Sequence, residues 1–215
     1  MTHKVTSDQR IVIESAVATD IGDYAGGDYM DVSATGVVTL LGAAKRHLTL
    51  RPEINIDEIK KEGVPVQVEV GSFFGYTMPI YAADHQHLFF KQIIPGRWDE
   101  ASDAVIDVFC CLSQVEDVDD YFKFQVNWEY AEVGEVVPVT SHPVDVEQIV
   151  LVGRDAQYDM YKLEFAIDLD GEGATSFDLL ALELRRIDAT DPDVTGNIIV
   201  LDWHVHYQVD KMFTP

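Results

Sequence analysis

The stretch YFKFQVNWEY sets Phe122, Phe124, Val126, Trp128 and Tyr130 against Lys123, Gln125, Asn127 and Glu129. Side chains of an extended chain point alternately to opposite faces, so this segment is a strand with one dry and one wet side. VPVQVEVG alternates in the same way, with Val64, Val66, Val68 and Val70 on one side. HLFFKQIIP, DAVIDVFCCL, VEQIVLVG, MYKLEFAID, FDLLALELRRI and NIIVLDWHVHYQVD complete the series. Turn-forming clusters separate them, among them Pro95-Gly96, Gly134, His142-Pro143, residues 171–173 and residues 191–196. FDLLALELRRI also fits a helical spacing through Leu179, Leu180 and Leu184, but its flanks are both β, which favours a strand.

Parallel strands need crossover helices, and none is patterned between these segments. The expected fold class is therefore all-β: an antiparallel jelly-roll-like β-sandwich, with an immunoglobulin-like sandwich as the second choice. The sandwich is expected over residues 64–215, and residues 1–63 as an N-terminal arm or peripheral segment. One short helix is expected at INIDEIKKEG, closed by Gly63, and the Gly/Asp-rich DIGDYAGGDYMD reads as a loop. DLDGEG, from Asp168 to Gly173, reads as a hairpin turn and lacks the flanking helices and terminal glutamate of a calcium-binding hand.

Charge narrows the partners. The chain has 38 acidic and 15 basic residues, a formal net charge of −23. Such a field repels phosphate backbones, so no nucleic-acid partner is expected. No run approaches the ~20 apolar residues that cross a bilayer as a helix, so no membrane partner is expected either. The amino terminus lacks the pattern of a secretory signal. The two cysteines, Cys110 and Cys111, are adjacent; on a strand they point to opposite faces and read as buried free thiols of a chain made in a reducing cytoplasm.

Two H-x-H pairs are the metal-ligand candidates: His85 with His87, and His204 with His206. On neighbouring strands they could supply four nitrogens, as cupin-like sites do. A cupin-like enzyme needs a second half to its motif, and only nine residues follow His206. On a strand, His204 and His206 share a polar row with Asp202, Gln208 and Asp210, opposite Leu201, Trp203, Val205, Tyr207 and Val209. That is the ordinary pattern of a half-buried sheet, so no metal, cofactor or catalytic residue is expected. No G-x-S-x-G, no glycine-rich phosphate loop and no Cys–His arrangement appears.

HLFFKQIIPGRWDEASDAVIDVFCCLS resembles a family pattern of L-F-F, then P-x-x-W-x-E-x-S/T-D and a strand. FQVNWEYAEVGEVVP is similar to its strand and turn, LRRIDATDPDVTGNIIVLD to its arginine-bearing strand and acidic loop, and LDWHVHYQVDK to its closing D-x-H-Y-x-x-D. The family is a group of structural proteins encoded by tailed bacteriophages, and the resemblance covers about Leu88 to Lys211. Many members carry H-x-H where this chain has Cys110 and Cys111, a departure that withholds any histidine-based role shared by the family.

The resemblance implies a non-enzymatic virion protein made in the host cytoplasm: a capsid decoration, cement or vertex-associated subunit. Its partners would be other copies of itself, a trimer being favoured, and phage capsid or tail proteins. Interface candidates are Arg46, His47 and Arg51, from the one basic cluster of the chain, together with Trp98 and Trp203. The alternative is a receptor- or glycan-binding tail or head-fibre module, which requires a shallow groove where aromatics meet acids or amides.

Overall fold

The computed structural model describes residues 38–41, 65–79 and 86–210 throughout, together with the backbone of six further short strands between residues 2 and 56. The described strands up to residue 56 are β1 (Thr2–Val5), β2 (Ile11–Glu14), β3 (Thr19–Asp23), β4 (Asp28–Val32), β5 (Val38–Leu40), β6 (Arg46–Leu50) and β7 (Asn55–Ile56). Then follow β8 (Val66–Val70), β9 (Phe73–Met78), β10 (His87–Ile93), β11 (Ala104–Leu112), β12 (Tyr121–Ala131) and β13 (His142–Ile149). β14 (Met160–Ile167), the one-turn helix α1 (Leu169–Glu172), β15 (Leu179–Ile187) and β16 (Ile198–Val209) close the series.

Two antiparallel sheets build the sandwich. One has five strands in the order β13-β12-β15-β10-β7; the other includes the path β14-β11-β16-β9-β8. The pairings are nested: β12 with β13, β11 with β14, β10 with β15, and β9 with β16. That is one long hairpin rolled over itself, the jelly-roll topology expected from the alternation and turn spacing.

The alternation explains the core. From the five-stranded sheet, Phe122, Phe124, Val126, Trp128, Leu180, Leu182, Leu184, Leu88 and Phe90 are buried. Ile106, Val108, Cys110, Leu163, Phe165, Trp203, Val205 and Tyr207 answer from the other sheet. Across the gap Phe90 meets Trp203 edge-on with ring centroids 5.5 Å apart, and Phe122 meets Tyr161 at 5.4 Å. Each such side chain contributes about 1.5–3 kcal/mol through removal from water. Cys110 and Cys111 are free and buried, as their placement on a strand predicts.

Three local expectations are revised. The Gly/Asp stretch read as a loop contains the hairpin β3–β4, paired from Thr19↔Val32 to Asp23↔Asp28. The helix expected at INIDEIKKEG does not begin there: Asn55 and Ile56 pair with Phe89 and Leu88 as β7, and residues 57–64 lie outside the described residues. The short helix is instead α1, within DLDGEG. Asp168 caps it by accepting a hydrogen bond from the Gly171 amide at 2.7 Å, and Gly173 closes it at φ 82°, where a side chain would be strained.

The chain forms two compact units, one of residues 1–48, 95–99 and 208–215, the other of residues 49–94 and 100–207. The first contains the β1–β2 hairpin and a three-stranded sheet, β3-β4-β5. The second contains the sites described below.

Candidate functional site

The outward face of the five-stranded sheet carries the polar halves of its alternating strands. Asn127 of β12 donates to Glu183 of β15 at 2.8 Å, and His87 Nδ1 of β10 stands 2.5 Å from the other oxygen of Glu183. Next along the sheet, Arg185 donates to Gln125, and Gln125 donates to Asp145 of β13 at 2.7 Å. These cross-strand pairs hold the side chains upright on the sheet. Beside them lies a shallow groove of about 370 Å³, lined by Phe89, Lys91, Asn127, Glu129, Ser141 and Glu183 among others. Phe89 is half-buried and stacks on the His87 ring, with centroids 5.9 Å apart.

One wall of this groove comes from the connection between β12 and β13, residues 132–141. Val133, Val136, Val137 and Val139 all project from that connection, three of them at least 90% exposed. Such residues give no packing energy where they stand. A second exposed apolar group stands where β10 meets β15: Ile93 pairs directly with Leu179, and Phe177 lies just before it.

The histidine pairs fall apart and one of them gains a partner. His87 lies on the outward face of the five-stranded sheet and His204 and His206 on the outward face of the other, so four nitrogens never converge; His85 lies outside the described residues. His204 is paired in register with Asp107 of β11, and His206 follows two residues later on the same face. His206 Nε2 is 2.8 Å from Asp107 Oδ2, His204 Nε2 is 3.6 Å from the same oxygen, and the two Nε2 atoms are 3.0 Å apart. Lys162 Nζ of β14 is also 2.8 Å from Asp107 Oδ2. The polar row read as a wet face is half right: His206 is partly open, but His204 and Asp107 are buried, and Phe109 leans over the His204 ring at 5.4 Å.

Of the interface candidates, Trp98 and Trp203 are corrected. They are 0% and 1% exposed, interior side chains that present no surface to a partner. Arg46 and His47 belong to β6 by their backbone, with side chains outside the described residues, as is Arg51. Sequence reasoning did not single out Asp107, because an acid in an apolar run, here VIDVFCC, shows nothing of the strand that will pair beside it. Nor did it find Glu183 or Glu129, whose signal was available as the polar half of an alternating strand. Desolvation pushes the Cys111 thiol up to about 11 and Cys110 upward too, so neither is a thiolate nucleophile at neutral pH.

No family model matches the sequence, and no curated protein matches it. Solved structures offer loose likenesses. The ANX2 ectodomain from Arabidopsis thaliana aligns with 78% of this chain at 9% identity and a TM-score of 0.38. The alignment spans 42% of that ectodomain. A carbohydrate-binding module, CBM28, described as specific for non-crystalline cellulose, aligns with 68% of this chain and 80% of its own at 13% identity and a TM-score of 0.37. The family 11 carbohydrate-binding module from Clostridium thermocellum covers 89% of this chain and 96% of its own, at 9% identity and a TM-score of 0.33.

Proposed function

We propose that this chain is a non-enzymatic structural subunit of a tailed-bacteriophage virion, a capsid decoration, cement or vertex-associated protein that works by assembling with copies of itself. The observation that carries the reading is the valine-bearing connection of residues 132–141. Single exposed apolar residues are ordinary, but four valines within seven positions of one connection form a contact surface in want of a partner. Burial returns roughly 25 cal/mol per Å² of apolar surface, and contacts repeated around a shell add in avidity. The motif resemblance from Leu88 to Lys211 supplies the setting.

The test replaces Val133, Val136, Val137 and Val139 together by serine. The expected product is a folded protein with an unchanged far-UV spectrum that sediments as a smaller species than the parent. A variant that keeps the parent's assembly state removes the valines from the interface.

A second reading, a glycan-binding module, is favoured by the groove on the five-stranded sheet. Phe89 offers an apolar ring edge for a sugar, and Asn127, Glu129 and Glu183 offer the planar acceptors and donors that hydroxyl groups take. Affinity electrophoresis in soluble polysaccharides tests it: retardation that disappears in Phe89→Ala supports it, and equal mobility in every gel removes it.

A further inference from the structure

We propose that Asp107, His204 and His206 bind one borderline transition-metal dication of the Zn²⁺, Co²⁺ or Ni²⁺ kind, an ion that clasps β11 to β16. This site plays no part in the assembly reading and stands or falls independently of it.

The donor geometry carries the inference. Metal ions of this class hold imidazole nitrogen and carboxylate oxygen at about 2.0–2.2 Å, which sets neighbouring donors roughly 3.0–3.5 Å apart in octahedral or tetrahedral arrangements. The three donor atoms here form a triangle of 2.8, 3.0 and 3.6 Å. Two imidazoles and one carboxylate on a single face leave the opposite positions open to water or another ligand.

Proton counting points the same way. Each imidazole Nε2 has either one proton or one lone pair. If the His206 proton goes to Asp107, the lone pair of His204 is left facing the carboxylate. If His204 donates to His206, the lone pair of His206 faces Asp107 Oδ2 at 2.8 Å. If both Nε2 atoms carry protons, the two N–H groups face each other at 3.0 Å. Each assignment with two neutral imidazoles thus sets like groups against one another, whereas one dication between them removes the conflict. The interior around them raises the stakes: Asp107 is 3% exposed, and its Oδ1 has no hydrogen-bond partner among the described residues. Asp202 Oδ2 lies 3.5 Å from His204 Nδ1, on the side where a ligating imidazole hands its remaining proton to a carboxylate.

Lys162 is the competitor for Asp107. Its ammonium also bonds Glu164 at 2.6 Å, so it has a second carboxylate to hold when an ion takes Asp107. Nitrogen donors rather than an all-oxygen cage select against Ca²⁺ and Mg²⁺. The acidic field of the whole chain raises the local dication concentration.

The experiment uses the full chain, stripped with a chelator and titrated calorimetrically with Zn²⁺, and with Co²⁺ read by its ligand-field absorption. One ion per chain is expected. His204→Gln and His206→Gln should each weaken binding by at least about tenfold, the scale on which altered metal surroundings act. His87→Gln and His142→Gln serve as controls and should bind as the parent does. Since Asp107 is buried, His206→Gln is the decisive variant: it sits partly open, and its fold is checked by circular dichroism. Lys162→Met should bind Zn²⁺ several-fold more tightly, which a merely structural lysine would not produce. Absence of saturable one-to-one binding in the parent, parental affinity in His206→Gln, or weaker binding in Lys162→Met would each overturn the site.

Discussion

Arg186 and Asp193 form an ion pair within the sandwich: Nη2 stands 2.9 Å from Oδ1, with the arginine side chain 2% exposed. Arg186 occupies an inward position of β15, in line with Leu180, Leu182 and Leu184. Its guanidinium also donates to the Gly196 carbonyl at 2.9 Å, tying the acidic connection before β16 to the sheet. Burial lowers its pKa and Asp193 opposes that shift, so the cation is held by its partners. Removing one member of a buried pair strands the other charge, at a cost of about 3–5 kcal/mol. Arg186→Ala should lose that much in urea unfolding, and Asp193→Asn at least as much, since it strands the more deeply buried charge of the two.

Trp203 gives a cleaner measure of packing. It is fully buried against Phe90, and its indole nitrogen has no hydrogen-bond partner among the described residues. Trp203→Ala should destabilise the fold by about 3–5 kcal/mol. Trp203→Phe should cost much less, because it also removes a buried N–H whose missing partner is worth about 1–3 kcal/mol. Equilibrium denaturation of the two variants checks both values.

These two residues mark how far the sequence reaches. Strand existence was legible from alternation, and an antiparallel sandwich from the number of strands without crossover helices; the nested pairing that makes it a jelly roll shows only in the strand registers. The contacts of Trp203 were not: a tryptophan in a dry row reads equally as core or as interface until the opposing sheet is placed. Arg186 follows Arg185, and the alternation of β15 puts Arg186 on the dry side with Leu180, Leu182 and Leu184, a place not assigned to it from the sequence. His204 and His206 were visible as a pair, but Asp107 joins them only through the β11–β16 register. Local composition misled at DLDGEG, where the Asp168 cap and the left-handed Gly173 make one helical turn of what reads as a hairpin.

Asp103 predicts a pH dependence. Its carboxyl is held above the ordinary aspartate range, first by desolvation and next by the Asp168 carboxylate, with Asp170 adding to it. The native state therefore holds that proton more tightly than the unfolded chain. Stability falls as pH rises from the ordinary value, ~3.9, through the raised one, and the deficit persists at neutral pH. Asp103→Asn should melt higher than the parent at pH 7, with the difference vanishing below about pH 3.9. A difference that grows on acidification contradicts this.

Phe177 has a positive φ of 75° and is 63% exposed. A left-handed conformation costs an ordinary residue about 1–2 kcal/mol, and glycine enters it freely at an entropic cost of about 0.5–1 kcal/mol. Phe177→Gly should therefore leave the chain as stable as the parent or up to about 1 kcal/mol more so, although a large apolar side chain is lost. Chemical denaturation at low protein concentration, where assembly does not contribute, makes the comparison.

The central claim is that this chain acts by assembling with itself. A native mass spectrum of the purified full chain, recorded with and without a chelator, tests it most directly. The account predicts a closed homo-oligomer, a trimer first among the possibilities, that survives chelation because the proposed ion lies within one chain. A monomer at every concentration would contradict it.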